Sequence, residues 1–124
     1  MFQFDAFNTG LYSLVPSKPT ITGPTSGKAG EKHEYIFNAK DPNKGQLLYY
    51  IKWGDNQIED WIGPYSSGED VKINHTWSTK GRYIIKANVK NERGTESGWS
   101  TLEVRMPKNK LLRYSFPLLK WLLD

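Results

Sequence analysis

The sequence predicts an all-β fold, a sandwich of two antiparallel sheets, on three observations. Short runs of alternating apolar and polar residues recur along the chain, each bounded by glycine, proline, asparagine or aspartate. The aromatic fraction is 14%, and Ala and Leu are sparse before residue 110, which favours strands over helices in the main body. Finally, His75-Thr76-Trp77, Gly81-Arg82-Tyr83 and the alternating run 84–90 read as two consecutive strands turning at a glycine. With Tyr49-Tyr50-Ile51-Lys52-Trp53-Gly54-Asp55 upstream, they specify an immunoglobulin-like antiparallel β-sandwich of about seven strands, with N- and C-terminal extensions.

Taken in order, residues 1–18 form a lead-in ending at Pro16-Ser17-Lys18-Pro19. Each proline pushes its predecessor out of the helical region, so the stretch reads as an extended linker. Strands are expected at Thr20–Gly23, Glu34–Ala39, Leu47–Trp53, Val71–Ser78, Arg82–Lys90 and Thr101–Met106, with a further short one near Gln57–Trp61. Asp41-Pro42-Asn43-Lys44-Gly45 is a turn that starts with an Asx cap and ends with a glycine at positive φ. Gly54-Asp55-Asn56 suits a tight hairpin.

Alternation assigns the inward faces, because strand side chains point to opposite sides with period two. Val71, Ile73, His75 and Trp77 share one side, as do Tyr83, Ile85, Ala87 and Val89, and Leu47, Tyr49, Ile51 and Trp53. Leu102, Val104 and Met106 complete the predicted core.

A chain of 124 residues suits one domain. It contains no cysteine, so the sandwich is held without an inter-sheet disulfide. Residues 1–104 carry twelve Lys/Arg and twelve Asp/Glu, whereas residues 105–124 carry five and one, so the net charge of +4 belongs to the tail. A balanced body argues against a nucleic-acid partner, which calls for a basic face interleaved with aromatic groups. Met1-Phe2-Gln3-Phe4-Asp5 shows neither the basic nor the apolar region of a secretory signal.

The tail, residues 108–124, changes composition abruptly. Pro117 is placed to start a short helix over Leu118–Leu123, apolar on almost every side. Leu111 to Leu123 is broken by Arg113, Pro117 and Lys120 and is too short to span a bilayer, for which about 20 residues are needed. Leu111, Leu112, Phe116, Leu118, Leu119, Trp121 and Leu122 are candidate contacts for a partner subunit, a second copy of the chain or a membrane surface.

Tyr49-x-Ile51-x-Trp53-Gly54-Asp55, His75-Thr76-Trp77, Gly81-x-Tyr83 and Val89-x-Asn91 together resemble the PKD domain. The likeness spans about Lys18 to Met106, which sets the domain at 19–107. Trp61-x-Gly63-Pro64-Tyr65-x-Ser67-Gly68, Glu96-Ser97-x-Trp99 and Met106-Pro107-Lys108-Asn109-Lys110 are similar to the version found in archaeal and bacterial surface proteins. Ile51 stands where the family usually has Trp, and the usual Gly-Asp-Gly turn ends here in Asn56. The resemblance implies an extracellular or cell-surface setting and a module that acts as spacer, adhesion or protein-interaction domain. Read from its residues, Gly81-x-Tyr83 forms a tyrosine corner, with the ring inward and the hydroxyl bonded to backbone.

Site chemistry is sparse. The histidines are His33 and His75 and no base and nucleophile pair can be named, so the chain is read as non-enzymatic. No cofactor is expected. Asp41, Asn43, Asp55, Asp60 and Asp70 fall in predicted turns without calcium-loop spacing, and are read as turn formers rather than metal ligands. Trp61 and Tyr65, in a Gly/Pro loop, and Trp99, after Gly98, are candidate stacking platforms for a protein or polysaccharide at the cell surface, as in a carbohydrate-binding appendage of a secreted hydrolase. Asn74-His75-Thr76 is a glycosylation sequon with Asn74 pointing outward.

Overall fold

The structure, a computed structural model of the chain, describes residues 14–109. Among them eight strands form: β1 (Thr20–Thr22), β2 (Ser26–Ala29), β3 (Lys32–Asn38), β4 (Gln46–Lys52), β5 (Ile58–Ser66), β6 (Val71–Thr76), β7 (Gly81–Asn91) and β8 (Ser100–Asn109). They make two sheets, one in the order β1-β3-β6 and the other in the order β2-β8-β7-β4-β5. All pairs but one are antiparallel, as the all-β sandwich reading requires.

The exception is β2, which pairs in parallel with β8. Its residues, Ser26-Gly27-Lys28-Ala29, lack the alternating apolar pattern of a strand and give no signal in the sequence. Beside it β8 passes Pro107 and runs to Asn109, two residues beyond the expected domain end. The register accommodates Pro107, which has no N–H: Ser26 pairs with Arg105 and Lys28 with Lys108, so Met106 and Pro107 oppose Gly27 alone.

The inner faces match the alternation. Leu47, Tyr49, Ile51, Trp53, Trp77, Ile85, Ala87, Val89, Val104 and Met106 are fully buried, joined by Tyr35 and Phe37 from β3. The rings interlock edge to face: Trp53 meets Trp77 at 6.0 Å and 82°, Phe37 meets Trp53 at 5.9 Å and 77°, and Tyr35 meets Trp77 at 5.8 Å and 87°. Such contacts add about 0.5–1.5 kcal/mol each beyond burial, which suits a core without a disulfide. Trp77 Nε1 donates to the Trp53 carbonyl at 3.1 Å, and Trp53 Nε1 donates to Glu59 at 3.0 Å, so neither indole N–H is stranded.

Tyr83 makes the corner expected of it, its hydroxyl donating to the Thr79 carbonyl at 2.7 Å while its ring stacks on Trp77 at 5.6 Å. The turn after Trp53 is also as expected, with Asn56 at a φ of 71° and Asp55 accepting the Gln57 N–H. The 41–45 turn differs in one respect. Asp41 caps it, accepting the N–H groups of Asn43 and Gly45, but the left-handed residue is Lys44, at φ 58°, and not Gly45.

The described part of the lead-in, residues 14–18, lies against the sandwich. Ser17 and Lys40 exchange two hydrogen bonds, the Leu14 carbonyl accepts from Asn91, and Pro16 is buried. The expected helix over Leu118–Leu123 lies outside the described residues.

Candidate functional site

On β4, Tyr49 and Ile51 are fully buried, so the pleat sends Leu48, Tyr50 and Lys52 to the solvent face of the five-stranded sheet. On β7 the same rule sends Ile84, Lys86, Asn88 and Lys90 to that side, where Asn88 is itself buried. Tyr50 lies directly opposite Asn88, Lys52 opposite Lys86, and Leu48 opposite Lys90.

Two tryptophans close on Tyr50 from either side. Trp61 comes from β5, where Tyr49 pairs with Ile62 and Ile51 with Glu59, leaving Asp60 and Trp61 opposite the single residue Tyr50. This is a β-bulge, in which Trp61 takes a left-handed φ of 49°; a bulge re-aims a side chain, and here the ring meets Tyr50 at 5.3 Å. Trp99 comes from the segment that leads into β8. Ser97 N–H donates to the Val89 carbonyl at 2.8 Å, Ser97 Oγ accepts the Val89 N–H at 3.0 Å, and Asn88 Nδ2 donates to Glu96 at 3.1 Å, so the segment is fastened along β7. It delivers the Trp99 ring to Tyr50 at 6.0 Å and 89°, with 43% of the residue exposed.

Lysines sit on both indoles. Lys90 Nζ lies 4.3 Å from the Trp61 ring centre, and Lys52 Nζ lies 5.2 Å from that of Trp99. The face is therefore a Tyr50, Trp61 and Trp99 cluster roofed by two ammonium groups. A cation over an indole is worth about 0.5–1 kcal/mol at exposed sites. Ile58 and Ile84 extend the apolar surface toward the Gly54 turn, 45% and 39% exposed.

Of the three platform residues expected from the sequence, the fold brings Trp61 and Trp99 together and separates Tyr65 from them. Tyr65 pairs with Leu47 in register, packs against the core and meets Tyr49 at 5.9 Å, so it points to the opposite side of the sheet. The segment holding Trp61 and Tyr65 is not a loop but the edge strand β5. An edge with a second bulge, where Gly63 and Pro64 oppose Leu48, tolerates residues that a central strand would reject. The sequence reading does not single out Tyr50, which links the two indoles; its alternation with the inward Tyr49 and Ile51 is the available signal.

Asn74 is exposed on the solvent face of the three-stranded sheet, in its edge strand β6. The turn acids are committed elsewhere: Asp41 to the Asn43, Gly45 and Asn91 N–H groups, Asp55 to Gln57 and His75, and Asp70 to Asn38. Among the described residues no group of three or more His, Cys, Asp or Glu side chains converges as metal ligands would. His75 is buried, stacked on Trp53, and His33 Nε2 lies 3.1 Å from the Lys28 carbonyl. Leu111, Leu112, Phe116, Leu118, Leu119, Trp121 and Leu122 lie outside the described residues. Among the described residues no helix is long and apolar enough to cross a membrane.

No protein-family model matches the chain, and no curated protein matches it. Solved structures do. The PKD domain of an M14-like peptidase from a Thermoplasmatales archaeon is 50% identical, with a TM-score of 0.74, over 75% of this chain and 96% of that one. The CARDB domain of a Pyrococcus furiosus protein, crystallised in complex with di-metal ions, is 17% identical with a TM-score of 0.54, over 77% of this chain and 93% of that one. The solution structure of the same domain gives 17% and 0.50, over 78% and 94%. At that identity the CARDB likeness concerns the fold alone.

Proposed function

The chain belongs to the PKD domain family, and we propose that it is a non-catalytic module of a cell-surface or secreted protein, holding a protein or polysaccharide partner on the solvent face of its five-stranded sheet. The observation that carries this reading is the convergence of Trp61 and Trp99 on Tyr50, outside the core and with Trp99 nearly half exposed. The core already contains the bulk it needs in Trp53, Trp77, Tyr35 and Phe37, so the outer cluster is not required to fill it. Aromatics fixed on a sheet give rigid contact area at low entropic cost. Replacing both Trp61 and Trp99 with Ala should weaken retention on a panel of insoluble polysaccharides and structural proteins while the chain keeps its cooperative unfolding. Unchanged retention of the folded variant across the panel would dismiss this face as the working surface.

A second reading makes the module an appendage of a secreted hydrolase, and the 50% identity to a domain of an M14-like peptidase favours it. The binding face would then keep a catalytic domain close to a polymeric substrate. The full-length gene decides: a hydrolase domain in the same reading frame supports this, and its absence counts against it.

A further inference from the structure

We infer that the solvent face of the five-stranded sheet binds an acidic polysaccharide, a linear uronic-acid polymer, with a carboxylate held between Lys52 and Lys86. The sugar rings pass over Trp99, Tyr50 and Trp61 toward Lys90. This rests on the reading of that face as a binding surface and adds the chemical class of the ligand.

The first observation is a like-charge pair. Lys52 and Lys86 are directly opposite each other in the β4–β7 register and on the same face, an arrangement that destabilises a sheet. Of the acids nearby, Glu103 is paired with Arg82 and Arg105 and Glu96 with Asn88, while Asp60 is exposed in the β5 bulge opposite Tyr50. The two lysines line a depression of about 360 Å³ whose walls include Ile58 and Ile84 and whose polar lining includes Asn56 and Gln57. A carboxylate there relieves the repulsion and gains charge-assisted hydrogen bonds.

The second observation is where the ammonium groups sit. With Lys52 over Trp99 and Lys90 over Trp61, a neutral sugar must displace a cation from each ring before it can stack. An acidic sugar instead recruits the same cation through its carboxylate. The third is length. A second depression, of about 370 Å³, lies at the other end of the cluster beside Leu48, Pro64, Lys90 and Glu92, so the chain would leave the face on the Lys90 side of it. Leu48, Tyr50 and Lys52 alternate along β4, so the path between the two depressions runs about 13 Å, which suits an extended chain.

Other polymers fit less well. A peptide adding as a strand at β5 would meet two bulges and Pro64, which has no N–H to offer. Nucleic-acid binding draws on many phosphate contacts, and this face brings three lysines to the ligand path.

The test uses the full chain in affinity electrophoresis and calorimetry against polygalacturonate, alginate and hyaluronate, with a neutral glucan, polyglutamate and single-stranded DNA for comparison, at low and high salt. The expected result is salt-sensitive binding of a polyuronate. It should be weakened about tenfold or more by Lys52→Gln with Lys86→Gln, and weakened by Trp99→Ala, with the melting temperature of the lysine variant unchanged or raised. Wild-type binding by the folded lysine variant overturns the inference, as does equal affinity for polyglutamate or DNA. Binding of the neutral glucan alone, lost in Trp61→Ala with Trp99→Ala, overturns the acidic ligand and leaves the platform standing. If the folded chain retains none of the sugar polymers, the acidic ligand falls; the protein panel above then decides the face itself.

Discussion

Asp55 Oδ2 accepts a hydrogen bond from His75 Nε2 at 2.8 Å, joining the β4–β5 turn of one sheet to β6 of the other. The imidazole lies flat on Trp53, ring centres 4.5 Å apart and planes 3° from parallel, and meets the edge of Trp77 at 4.7 Å. A disulfide-bonded sandwich has a covalent link between its sheets; here a polar bond and an aromatic stack do that work.

His75→Ala should therefore cost about 2–4 kcal/mol, since it removes the stack, opens space in the core and leaves Asp55 Oδ2 without its partner. His75→Phe keeps the stack and should cost only about 1–2 kcal/mol. Urea unfolding of the two variants measures both. Equal stability of His75→Phe and the wild type would show that the Asp55 bond contributes nothing net.

At the opposite end two turns cap themselves and then each other. Asp41 accepts the N–H groups of Asn43 and Gly45, Asn91 accepts those of Arg93 and Thr95, and Asn91 Nδ2 donates to Asp41 Oδ1 at 3.1 Å. Both side chains are buried, so each single alanine variant strands N–H groups and should lose about 2–3 kcal/mol. A double-mutant cycle should return a coupling of about 1 kcal/mol, and strict additivity would mean that the two caps act independently.

These two devices show where sequence reasoning reaches its limit. That His75 faces inward follows from its spacing to Ile73 and Trp77, and that Asp41 caps a turn follows from the Pro-Asn-Lys-Gly after it. That His75 meets Asp55 and Asp41 meets Asn91 depends on how two sheets are superposed, which a one-dimensional pattern does not contain. The binding face divides the same way. Trp61 and Trp99 stand out by type; Tyr65 reads with Trp61 as part of one Gly/Pro loop, whereas the segment is a strand whose bulges turn the two rings to different sides. Strand β2 gives no signal because it is short, largely polar and pairs with a single parallel neighbour at the sheet edge.

Burial pushes the Tyr35 hydroxyl up to about 12, from an ordinary value of 10.0. That hydroxyl donates to the Pro24 carbonyl at 2.6 Å. Below pH 10 it is protonated in both folded and unfolded chains and its contribution is whole; between about 10 and 12 only the unfolded chain ionises, and the contribution is lost. Thermal unfolding of Tyr35→Phe should therefore lie below wild type at neutral pH, by about 1 kcal/mol for the missing hydrogen bond. The gap should narrow above pH 10. A gap that stays constant to pH 12 would mean that Tyr35 ionises alike in both states.

Lys44 and Gly54 give opposite expectations for the same kind of backbone. Lys44 is exposed and held at φ 58°, a left-handed conformation that costs a residue with a Cβ roughly 1–2 kcal/mol. Lys44→Gly removes that cost but adds freedom to the unfolded chain, so it should raise stability by about 0.5–1 kcal/mol. Gly54 sits at φ 91°, and a Cβ there would lie 2.9 Å from both the backbone N and O of Ile84. Because that backbone belongs to β7, it cannot yield without breaking the ladder beneath Trp53 and Lys52. Gly54→Ala should lower stability by about 2–3 kcal/mol, the sum of local strain and displaced pairing. Denaturant midpoints of the two variants test the pair, and a stable Gly54→Ala would show that β7 shifts freely at Ile84.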